Sequence, residues 1–279
     1  MRELSAQTIT EVVARLCVEA NYHLPADIRQ RLEMMEQAET WPVACDLLQQ
    51  IRSNYQLAEK MDTPICQDTG LACVFLKIGQ DVHITGNLTD AVNAGVAKGY
   101  TEGFLRKSAV ADPLRRINTG DNTPAMLYCE LVPGEQVEIT VAPKGFGSEN
   151  MSAIKMLRPS DGVQGVKDFV LEVVRSAGPN PCPPVVVGVG IGGTFDKAAY
   201  LSKTALLRST DVLNPDPYYA ALEEELLEAI NQLGIGPEGL GGRTTALAVN
   251  IETMPTHIAG LPVAVNISCH VTRHATEVL

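Results

Sequence analysis

The chain has 279 residues, with 22 Lys and Arg against 33 Asp and Glu, which gives a formal net charge of −11. Hydrophobic residues make up 45% and charged residues 20%, a balance typical of a globular protein with a sizeable core. The acidic balance and the lack of a basic stripe argue against a nucleic-acid partner, and any site for an acidic ligand must be locally basic. No apolar run reaches the length of a membrane helix and the first residues do not resemble a signal peptide, so no membrane partner and a cytoplasmic location are expected.

Hydrophobic periodicity predicts that the first third of the chain is helical. Ser5 is a candidate N-cap for a helix that turns Ile9 and Val13 toward the core. A short second helix is expected after Pro25, and a third from about residue 41 to residue 60.

Strands and helices are mixed in the rest of the chain. Apolar, β-branched runs predict strands at 71–78, 126–132, 136–141, 184–191, 245–251 and 262–267. Amphipathic stretches predict helices at 88–106, 162–176, 194–208 and 218–233. This order indicates a mixed α/β (α+β) fold, and because no linker separates two halves, residues 1–279 are predicted to form a single domain.

The seven cysteines fall into two groups. Four lie on apolar helix faces or inside strand-like runs and are interpreted as small core residues: Cys17, Cys45, Cys73 and Cys129. Cys66, Cys182 and Cys269 instead occupy turn-like segments or a strand end beside polar residues, where functional groups commonly lie. Three thiolates from distant loops could hold a 4Fe–4S cluster and leave one iron open as a Lewis acid. Residue types and spacing alone favour three unrelated cysteines over this arrangement.

A series of unusual motifs carries a family resemblance. The segments are Cys66–Gly70 (CQDTG), Leu105–Ser108 (LRKS), Asn118–Pro124 (NTGDNTP), Lys144–Ser152 (KGFGSENMS), Asn180–Pro184 (NPCPP), Gly188–Thr194 (GVGIGGT) and Pro255–Gly260 (PTHIAG). Over nearly its whole length the chain resembles the α subunit of two-subunit class I fumarate hydratases and the closely similar α subunit of L-tartrate dehydratase. The motifs that begin at Lys144 and Asn118 favour the fumarate branch.

The resemblance implies a cofactor, a substrate site and a partner. The cofactor is a 4Fe–4S cluster held by Cys66, Cys182 and Cys269. The substrate is a small dicarboxylate, and the residues implied in its binding are Gln67, Asp68, Arg106, Gly147 and His257. The expected reaction interconverts fumarate and malate, with L-tartrate dehydration as the alternative. Single-chain relatives carry a further C-terminal catalytic domain, so a separate β subunit is expected to supply it and complete the active site in a hetero-oligomer.

Each candidate residue has a structural alternative. Asp68 could exchange a proton with substrate, or bond its own backbone in a Gln-Asp-Thr-Gly turn. Arg106 could bind a carboxylate with two hydrogen bonds, or be a solvated charge at a helix end. Gly147 could bring a backbone N–H close to a carboxylate, or form a plain turn. His257 is the second candidate catalytic residue; an isolated histidine is often structural, but its position before the Cys269 strand favours function.

The remaining motifs have weaker interpretations. Lys144 and Arg243 are expected to be solvated or structural, and His270 and His274 are candidates to support the cluster ligands. The segment Gly188–Gly193 resembles a dinucleotide-binding fingerprint, but it lacks the acidic residue at the end of a second strand and is assigned to packing of a cluster or substrate loop. Two hypotheses of other classes remain open, a non-catalytic assembly subunit and an NAD enzyme.

Overall fold

The computed structural model describes residues 2–279 and divides them into two compact units. The first unit consists of residues 2–24, Tyr55–Gly145 and Arg273–Leu279, and the second of Pro25–Asn54 and Phe146–Thr272. Each unit combines segments that are distant in the sequence, so no linker marks the division. The single domain expected over 1–279 stays a prediction.

Helices and strands are interspersed along the whole chain. In chain order they are β1 (Arg2–Ser5), α1 (Ala6–Tyr22), α2 (Ala26–Ala38), α3 (Pro42–Met61), β2 (Leu71–Gly79), β3 (Val82–Thr85), α4 (Leu88–Glu102), β4 (Met126–Val132), β5 (Val137–Lys144), α5 (Phe146–Glu149), β6 (Ala153–Leu157), α6 (Gly162–Ala177), β7 (Val185–Gly192), α7 (Phe195–Ala205), α8 (Pro217–Asn231), β8 (Ala246–Met254), β9 (Leu261–Ser268) and β10 (Ala275–Val278). The predicted mixed α+β class is confirmed. Across residues 2–279, no helix combines the length and the apolar character needed to cross a bilayer.

The predicted helical start of the chain is confirmed. Ser5 caps α1, and its hydroxyl oxygen accepts a hydrogen bond from the backbone N–H of Thr8 over 3.1 Å. The inward face of α1 places Ile9, Val13 and Leu16 in the core. An apolar residue every three or four positions was enough to predict this helix because its whole inner face is buried.

The first unit is a four-stranded sheet with the order β10-β5-β2-β4, beside a parallel pair of β1 and β3. β2 runs parallel to β4 and antiparallel to β5. Helices α1 and α4 pack against each other and share one apolar core with the strands, in which Val96 and Tyr100 of α4 are fully buried. β4 is an edge strand with mostly exposed side chains.

The second unit is a four-stranded sheet with the order β6-β9-β7-β8, in which β7 is parallel to β8 and antiparallel to β9. All eight residues of β7 are buried, as expected for a strand covered on both faces. Val185, Val187 and Val189 of β7 pack in one core with apolar residues of α6 and α8. Its alternate residues, Gly188 and Gly190, face α7.

Two features of the predicted secondary structure are wrong in detail. The helix predicted over 88–106 ends at Glu102, because Gly103 caps it and Phe104 turns to a φ of 50°. The strands β1, β3, β6 and β10 were missed. Each has only four or five residues, and each pairs with a strand that is distant in the sequence.

Candidate active site

The loop that carries Cys66 connects α3 to β2 in the first unit. Cys66 and Asp68 are half-buried, and Gln67 between them is exposed. The backbone N–H of Asp68 donates to the Cys66 sulfur over 3.4 Å, and the N–H of Ile65 donates to the carbonyl of Asn21 over 3.0 Å. The thiol is therefore held by an ordered turn and is open to solvent on one side.

Buried side chains from α4 and from the 118–124 motif fix the end of this loop. The hydroxyl of Tyr100 donates to the carbonyls of Thr69 and Gly70 over 2.7 and 3.2 Å. The amide of Asn122 donates to the same Gly70 carbonyl over 3.1 Å. Gly70 itself has a φ of 69°, and a Cβ atom there would lie 2.6 Å from the backbone carbonyl carbon of Lys144. Only glycine fits this position.

Two buried cations adjoin the loop. Nη2 of Arg273 donates to the carbonyl of Asp68 over 2.6 Å. Lys144 ends β5 and pairs with Leu71, the first residue after the loop. Both side chains are buried, so Lys144 is structural rather than solvated. In a chain with a net charge of −11, these cations make the surroundings of Asp68 locally basic.

The carboxylate of Asp68 takes part in the turn that was its structural alternative. Its Oδ1 atom accepts from the backbone N–H of Gly70 over 3.0 Å. Its Oδ2 atom would lie 3.0 Å from a Cβ atom built on Gly145. A side chain at position 145 would therefore press on the second carboxylate oxygen of Asp68.

Arg106 lies on the loop after α4 and not at a helix end. Its side chain is exposed, and its carbonyl accepts from the Thr69 hydroxyl over 3.1 Å. Asn122 reinforces this link, because its Oδ1 atom accepts from the N–H groups of Ser108 and Ala109 over 2.7 and 3.0 Å. The first unit thus brings the Cys66–Asp68 segment and Arg106 together.

Sequence reasoning missed three residues that build this arrangement. Asn122 lies inside the 118–124 motif, so the motif was the signal that could have identified it. Tyr100 looked like one more inward residue of an amphipathic helix, and Arg273 looked like an isolated charge near the chain end. Their roles depend on contacts with residues that are 30 or more positions away.

The loop that carries Cys182 lies in the second unit and leads directly into β7. Cys182 is exposed between buried prolines and has a φ of 54°, a conformation that is strained for any residue except glycine. Its N–H donates to the carbonyl of Pro179 over 3.1 Å, and the N–H of Glu238 donates to the carbonyl of Pro183 over 2.8 Å. The strained backbone presents the thiol to solvent.

Cys269 follows β9 at the same end of the sheet, because Ser268 pairs with Val186 near the start of β7. His270 connects the two cysteine segments. Its backbone N–H and its ring Nδ1 lie 3.3 and 3.0 Å from the carbonyl oxygen of Cys182, and Nδ1 lies 3.3 Å from a Glu238 carboxylate oxygen. The expected supporting role of His270 stays a prediction, and this contact is consistent with it.

The segment that contains Gly147 joins the same end of the second unit. A Cβ atom on Gly147 would lie 3.6 Å from the carbonyl oxygen of Asn180, in the Cys182 loop. Glu149 accepts from Asn266 of β9 over 2.9 Å and pairs with Lys203 over 2.7 Å. The second unit therefore brings Gly147, Cys182 and Cys269 together.

His257 lies at the opposite end of this sheet. It belongs to the exposed turn between β8 and β9, where its Nδ1 accepts from the N–H of Ala259 over 3.2 Å. Gly188 and Gly190 also have a role away from the cysteines, since Cβ atoms there would lie 2.1 Å from the carbonyl oxygens of Ser202 and Ala198 in α7. The glycines let α7 approach β7 closely, so their assignment to a cluster or substrate loop is wrong.

The proposed ligands stand in different units, with Cys66 in the first and Cys182 and Cys269 in the second. Within residues 2–279, no group of three or more His, Cys, Asp or Glu side chains is placed to hold a metal ion. Cys17 is a fully buried core residue, as expected, and its burial raises the pKa of the thiol to about 12. Cys129 was expected in the core, which is wrong, because it is exposed on the edge strand β4.

A cavity of about 740 Å³ lies elsewhere in the second unit, between α2, α8 and β8. Its lining contains none of the proposed ligands or substrate residues, although Arg243 contributes to it. The backbone N–H of Arg243 donates to the buried carboxylate of Glu39 over 2.7 Å, which is a structural contact. The cavity is therefore separate from the candidate site.

Comparison with known proteins identifies the family. The sequence model described as "Fumarate hydratase (Fumerase)" matches residues 10–278, which is almost the whole chain. The chain belongs to the fumarate hydratase (fumerase) family. The matched range includes all three cysteine segments and the segment with Gly147.

Relatives of this fumerase-family chain bear the names of dehydratase subunits. One, from Methanocaldococcus jannaschii, is provisionally named L(+)-tartrate dehydratase subunit alpha; it is 45% identical over 276 residues, covering 96% of each chain. The L(+)-tartrate dehydratase subunit alpha of Escherichia coli UTI89 is 34% identical over 279 residues, covering 99% of this chain and 92% of the relative. The predicted hydro-lyase class and the resemblance to both α subunits are confirmed.

Proposed function

We propose that this chain is the cluster-binding α subunit of a 4Fe–4S hydro-lyase that interconverts fumarate and malate, and that Cys66, Cys182 and Cys269 hold the cluster. The observation that carries the proposal is the meeting of Cys182 and Cys269 at one end of a sheet, where His270 contacts both segments. Two thiols that are 87 positions apart (269 − 182) are unlike scattered core cysteines when ordered loops present both at the same place.

The chemistry of the three donors fits an iron–sulfur cluster. Cluster ligands must be thiolates on fixed loops and must be accessible to iron. Cys182 is exposed, Cys66 and Cys269 are half-buried, and each follows or precedes a buried strand. When bound by three cysteines, a 4Fe–4S cluster supplies an open iron site that acts as a Lewis acid on a hydroxyl group.

The protein groups proposed to act on the substrate have distinct tasks. The guanidinium of Arg106 binds one carboxylate with two parallel hydrogen bonds. The backbone N–H of Gly147 contacts the other carboxylate, which can come close because position 147 has no side chain. Gln67 orients the substrate from its exposed position next to Cys66. Asp68 exchanges a proton with the substrate through its carboxyl group, and His257 moves a proton through its ring.

A β subunit is proposed to complete this site, in a hetero-oligomer located in the cytoplasm. The word "alpha" in the names of both relatives supports a second kind of chain. The partner would supply further cations for the diacid and the base that removes the carbon-bound proton.

Two substrates are candidates for this chemistry. The family name and the motifs at 118–124 and 144–150 favour fumarate and malate. The names of the relatives favour L-tartrate as the second candidate. Malate and L-tartrate are both small 2-hydroxy dicarboxylates, so the same cluster and carboxylate contacts would serve either one. Measurement of kcat/KM for malate, fumarate and L-tartrate with the reconstituted αβ enzyme separates them.

The cluster assignment is tested by removing one thiol at a time. Cys66→Ser, Cys182→Ser and Cys269→Ser are each expected to lose the cluster after anaerobic reconstitution, measured as iron and sulfide per chain and as visible absorption. Cys129→Ser is the matched control, because Cys129 is also exposed but lies on an edge strand. Full iron and sulfide in all three ligand variants would reject the assignment.

The alternative of a non-catalytic assembly subunit is tested by mixing subunits. The α chain is reconstituted anaerobically with and without the β subunit of the same organism, and hydration of fumarate is measured. Activity that arises only in the mixture supports the proposal that the α chain supplies one part of the active site and the β subunit the other. A stable αβ complex with a full cluster but no activity on fumarate, malate or L-tartrate would favour the alternative of a non-catalytic assembly subunit.

A further inference from the structure

The short helix α5 carries Gly147 and depends on other elements for its position. It has four residues, Phe146–Glu149, whereas isolated helices shorter than about 12 residues are marginal in water. Its single turn includes a hydrogen bond of 3.1 Å from the N–H of Asn150 to the carbonyl of Phe146. The backbone N–H of Gly147 therefore has a fixed position only if side chains tie this turn to longer elements.

Glu149, the last residue of α5, makes this connection with both carboxylate oxygens. Oε1 accepts a hydrogen bond from Nζ of Lys203 over 2.7 Å, and Oε2 accepts one from Nδ2 of Asn266 over 2.9 Å. Lys203 lies in the last turn of α7, and Asn266 lies in β9. One carboxylate therefore joins the turn that contains Gly147 to a helix and a strand of the second unit.

The ion pair between Glu149 and Lys203 is largely shielded from water. The exposed fraction of the side chain is 26% for Glu149 and 16% for Lys203, and Asn266 is 6% exposed. Removing two charges from water costs free energy that their attraction offsets only in good geometry, so such a pair is weak evidence of a stabilising role. It is well suited to fixing a position, because a shielded charge that loses its partner is costly.

Asn266 extends this arrangement toward the cysteines. It stands opposite Gly188 in the pairing of β9 with β7, and it precedes Cys269 by three positions (269 − 266). The next residue, Ile267, donates its N–H to the hydroxyl oxygen of Ser152 over 3.1 Å. The chain is therefore tied to β9 both at the end of α5 and just after it, on the strand that leads to Cys269.

The amide of Asn266 uses its donor side for Glu149. Its Oδ1 atom is buried and has no hydrogen-bond partner among residues 2–279, whereas its Nδ2 atom donates to the carboxylate. A buried acceptor without a donor costs free energy, and the reversed amide would place its oxygen against the carboxylate. Glu149 therefore determines the orientation of Asn266 as well as the position of α5.

We infer that Glu149 is a positioning residue, which through Lys203 and Asn266 places the backbone N–H of Gly147 where it contacts a substrate carboxylate. The inference rests on the proposed function, which assigns Gly147 to that carboxylate, and deepens it. Lys203 has a second task. It neutralises Glu149, two positions from Gly147, beside a site that must accept a doubly negative substrate.

Three substitutions at position 149 separate position from charge. In Glu149→Gln the amide oxygen can accept from Lys203 and the amide nitrogen can donate to the reversed Asn266, so KM for malate is expected within about threefold of wild type. Glu149→Ala removes both contacts and Glu149→Asp shortens the side chain, so each is expected to raise KM at least about tenfold. The value of kcat should change less, since a carboxylate contact made throughout the reaction is lost.

Iron and sulfide per chain are measured in the same three variants and should equal those of wild type. A wild-type KM in Glu149→Ala would overturn the inference. A KM in Glu149→Gln as high as in Glu149→Ala would also overturn it, because charge rather than position would then decide. Glu225→Ala is the matched control. It breaks the ion pair with Lys167, which joins α8 to α6 in the same unit, and should leave KM unchanged.

The task of Lys203 has its own test. Lys203→Met is expected to raise KM more than Glu149→Ala does, since it leaves an unpaired carboxylate beside the substrate site. The double variant Lys203→Met, Glu149→Gln removes that charge and should recover part of the loss. A double variant with the same KM as Lys203→Met would overturn the task assigned to Lys203.

Hydrogen exchange tests the positioning in the full α chain without cluster, substrate or β subunit. In Glu149→Ala the amides of residues 146–152 are expected to exchange at least about tenfold faster than in wild type, and in Glu149→Gln at the wild-type rate. Peptides from α1, in the first unit, are the internal control. Unchanged exchange of 146–152 in Glu149→Ala would overturn the inference even if the enzyme is active. An αβ enzyme that is inactive on fumarate, malate and L-tartrate would instead reject the proposed function, whatever the exchange result.

Discussion

The Cys66 loop of the first unit and the Cys182 loop of the second unit differ in how they are held. Side chains from distant segments hold the Cys66 loop, since Tyr100, Asn122 and Arg273 donate to three successive carbonyls. Backbone-to-backbone contacts hold the Cys182 loop, in which Cys182 has a positive φ, and the His270 ring adds one side-chain contact. Each loop presents a thiol, but the interactions that keep it in place are chemically different.

The second unit has one side chain that acts like Asn122. Glu39 is buried, and its carboxylate accepts from the N–H groups of Thr40, Trp41 and Arg243 over 2.7–3.1 Å. It thereby ties the start of α3 to the glycine-rich loop that contacts the Cys182 segment through Gly239. None of the three side chains that hold the Cys66 loop is a carboxylate, whereas the second unit uses the carboxylate of Glu39. Their stabilities should therefore respond differently to acid.

The largest expected effect is at Gly70. Gly70→Ala places a Cβ atom 2.6 Å from the Lys144 backbone at a φ of 69°, so a loss of about 4 kcal/mol in the free energy of unfolding is expected. Gly120→Ala is the matched control, because its φ is 85° but no atom lies within 4 Å of the new Cβ, and it should cost only about 1 kcal/mol. Urea denaturation of both variants measures the difference. Equal losses would show that backbone conformation, rather than the close contact, decides at Gly70.

Asn122→Ala is expected to have the next largest effect. It leaves two N–H donors and the Gly70 carbonyl without the amide in a fully buried place, which costs about 3 kcal/mol. Asn118→Ala removes contacts of the same kind at an exposed position and should cost less than about 1 kcal/mol. Faster hydrogen exchange at Ser108 and Ala109 in the Asn122 variant would locate the effect. A loss no larger than that of Asn118→Ala would mean that Asn122 does not organise the Cys66 loop.

Glu39→Gln tests whether the stability of the second unit depends on acidic pH. Burial raises the pKa of Glu39, but the N–H donors of Trp41, Thr40 and Arg243 outweigh it and hold the pKa below the ordinary value of 4.5. A lowered pKa means that the carboxylate stabilises the fold above pH 4.5 and loses this contribution as the pH falls through the lowered value. The variant should cost about 2 kcal/mol at pH 7, and the difference from wild type should shrink in acid. A difference that stays constant down to pH 3 would contradict this account.

Tyr100→Phe is expected to have the smallest effect, about 1 kcal/mol, because the Gly70 carbonyl keeps its bond from Asn122. Burial raises the pKa of Tyr100, so its hydroxyl remains a donor at ordinary pH and the cost should not change between pH 3 and pH 8. Urea denaturation at both pH values measures it. A cost that becomes smaller as the pH is lowered, as expected for Glu39→Gln, would remove the proposed difference in acid response between the units.

The sequence predicted elements well where one residue pattern decided the structure. The three N-terminal helices and β7 lie close to their predicted bounds, because long periodic or β-branched runs have one way to bury their apolar side. The burial of Cys129 was predicted wrongly, since a strand-like run does not reveal whether its strand is at an edge. Arg106 was predicted to be helical but lies in a loop, because α4 ends at Glu102, before Gly103 and Phe104. Of the candidate site, the loops could be named from their motifs, but the buried donors that fix them could not.

The sequence by itself determined the family, the hydro-lyase class, the α+β fold and the segments that carry the candidate thiols, because these depend on residue identities in a fixed order. Only the tertiary structure decided which of those segments lie together. It brought Gly147, Cys182 and Cys269 to one end of a sheet and His257 to the other, since strand direction and register are set by pairing between distant residues. Motif order along a chain carries no information about the end of a sheet at which each motif lies.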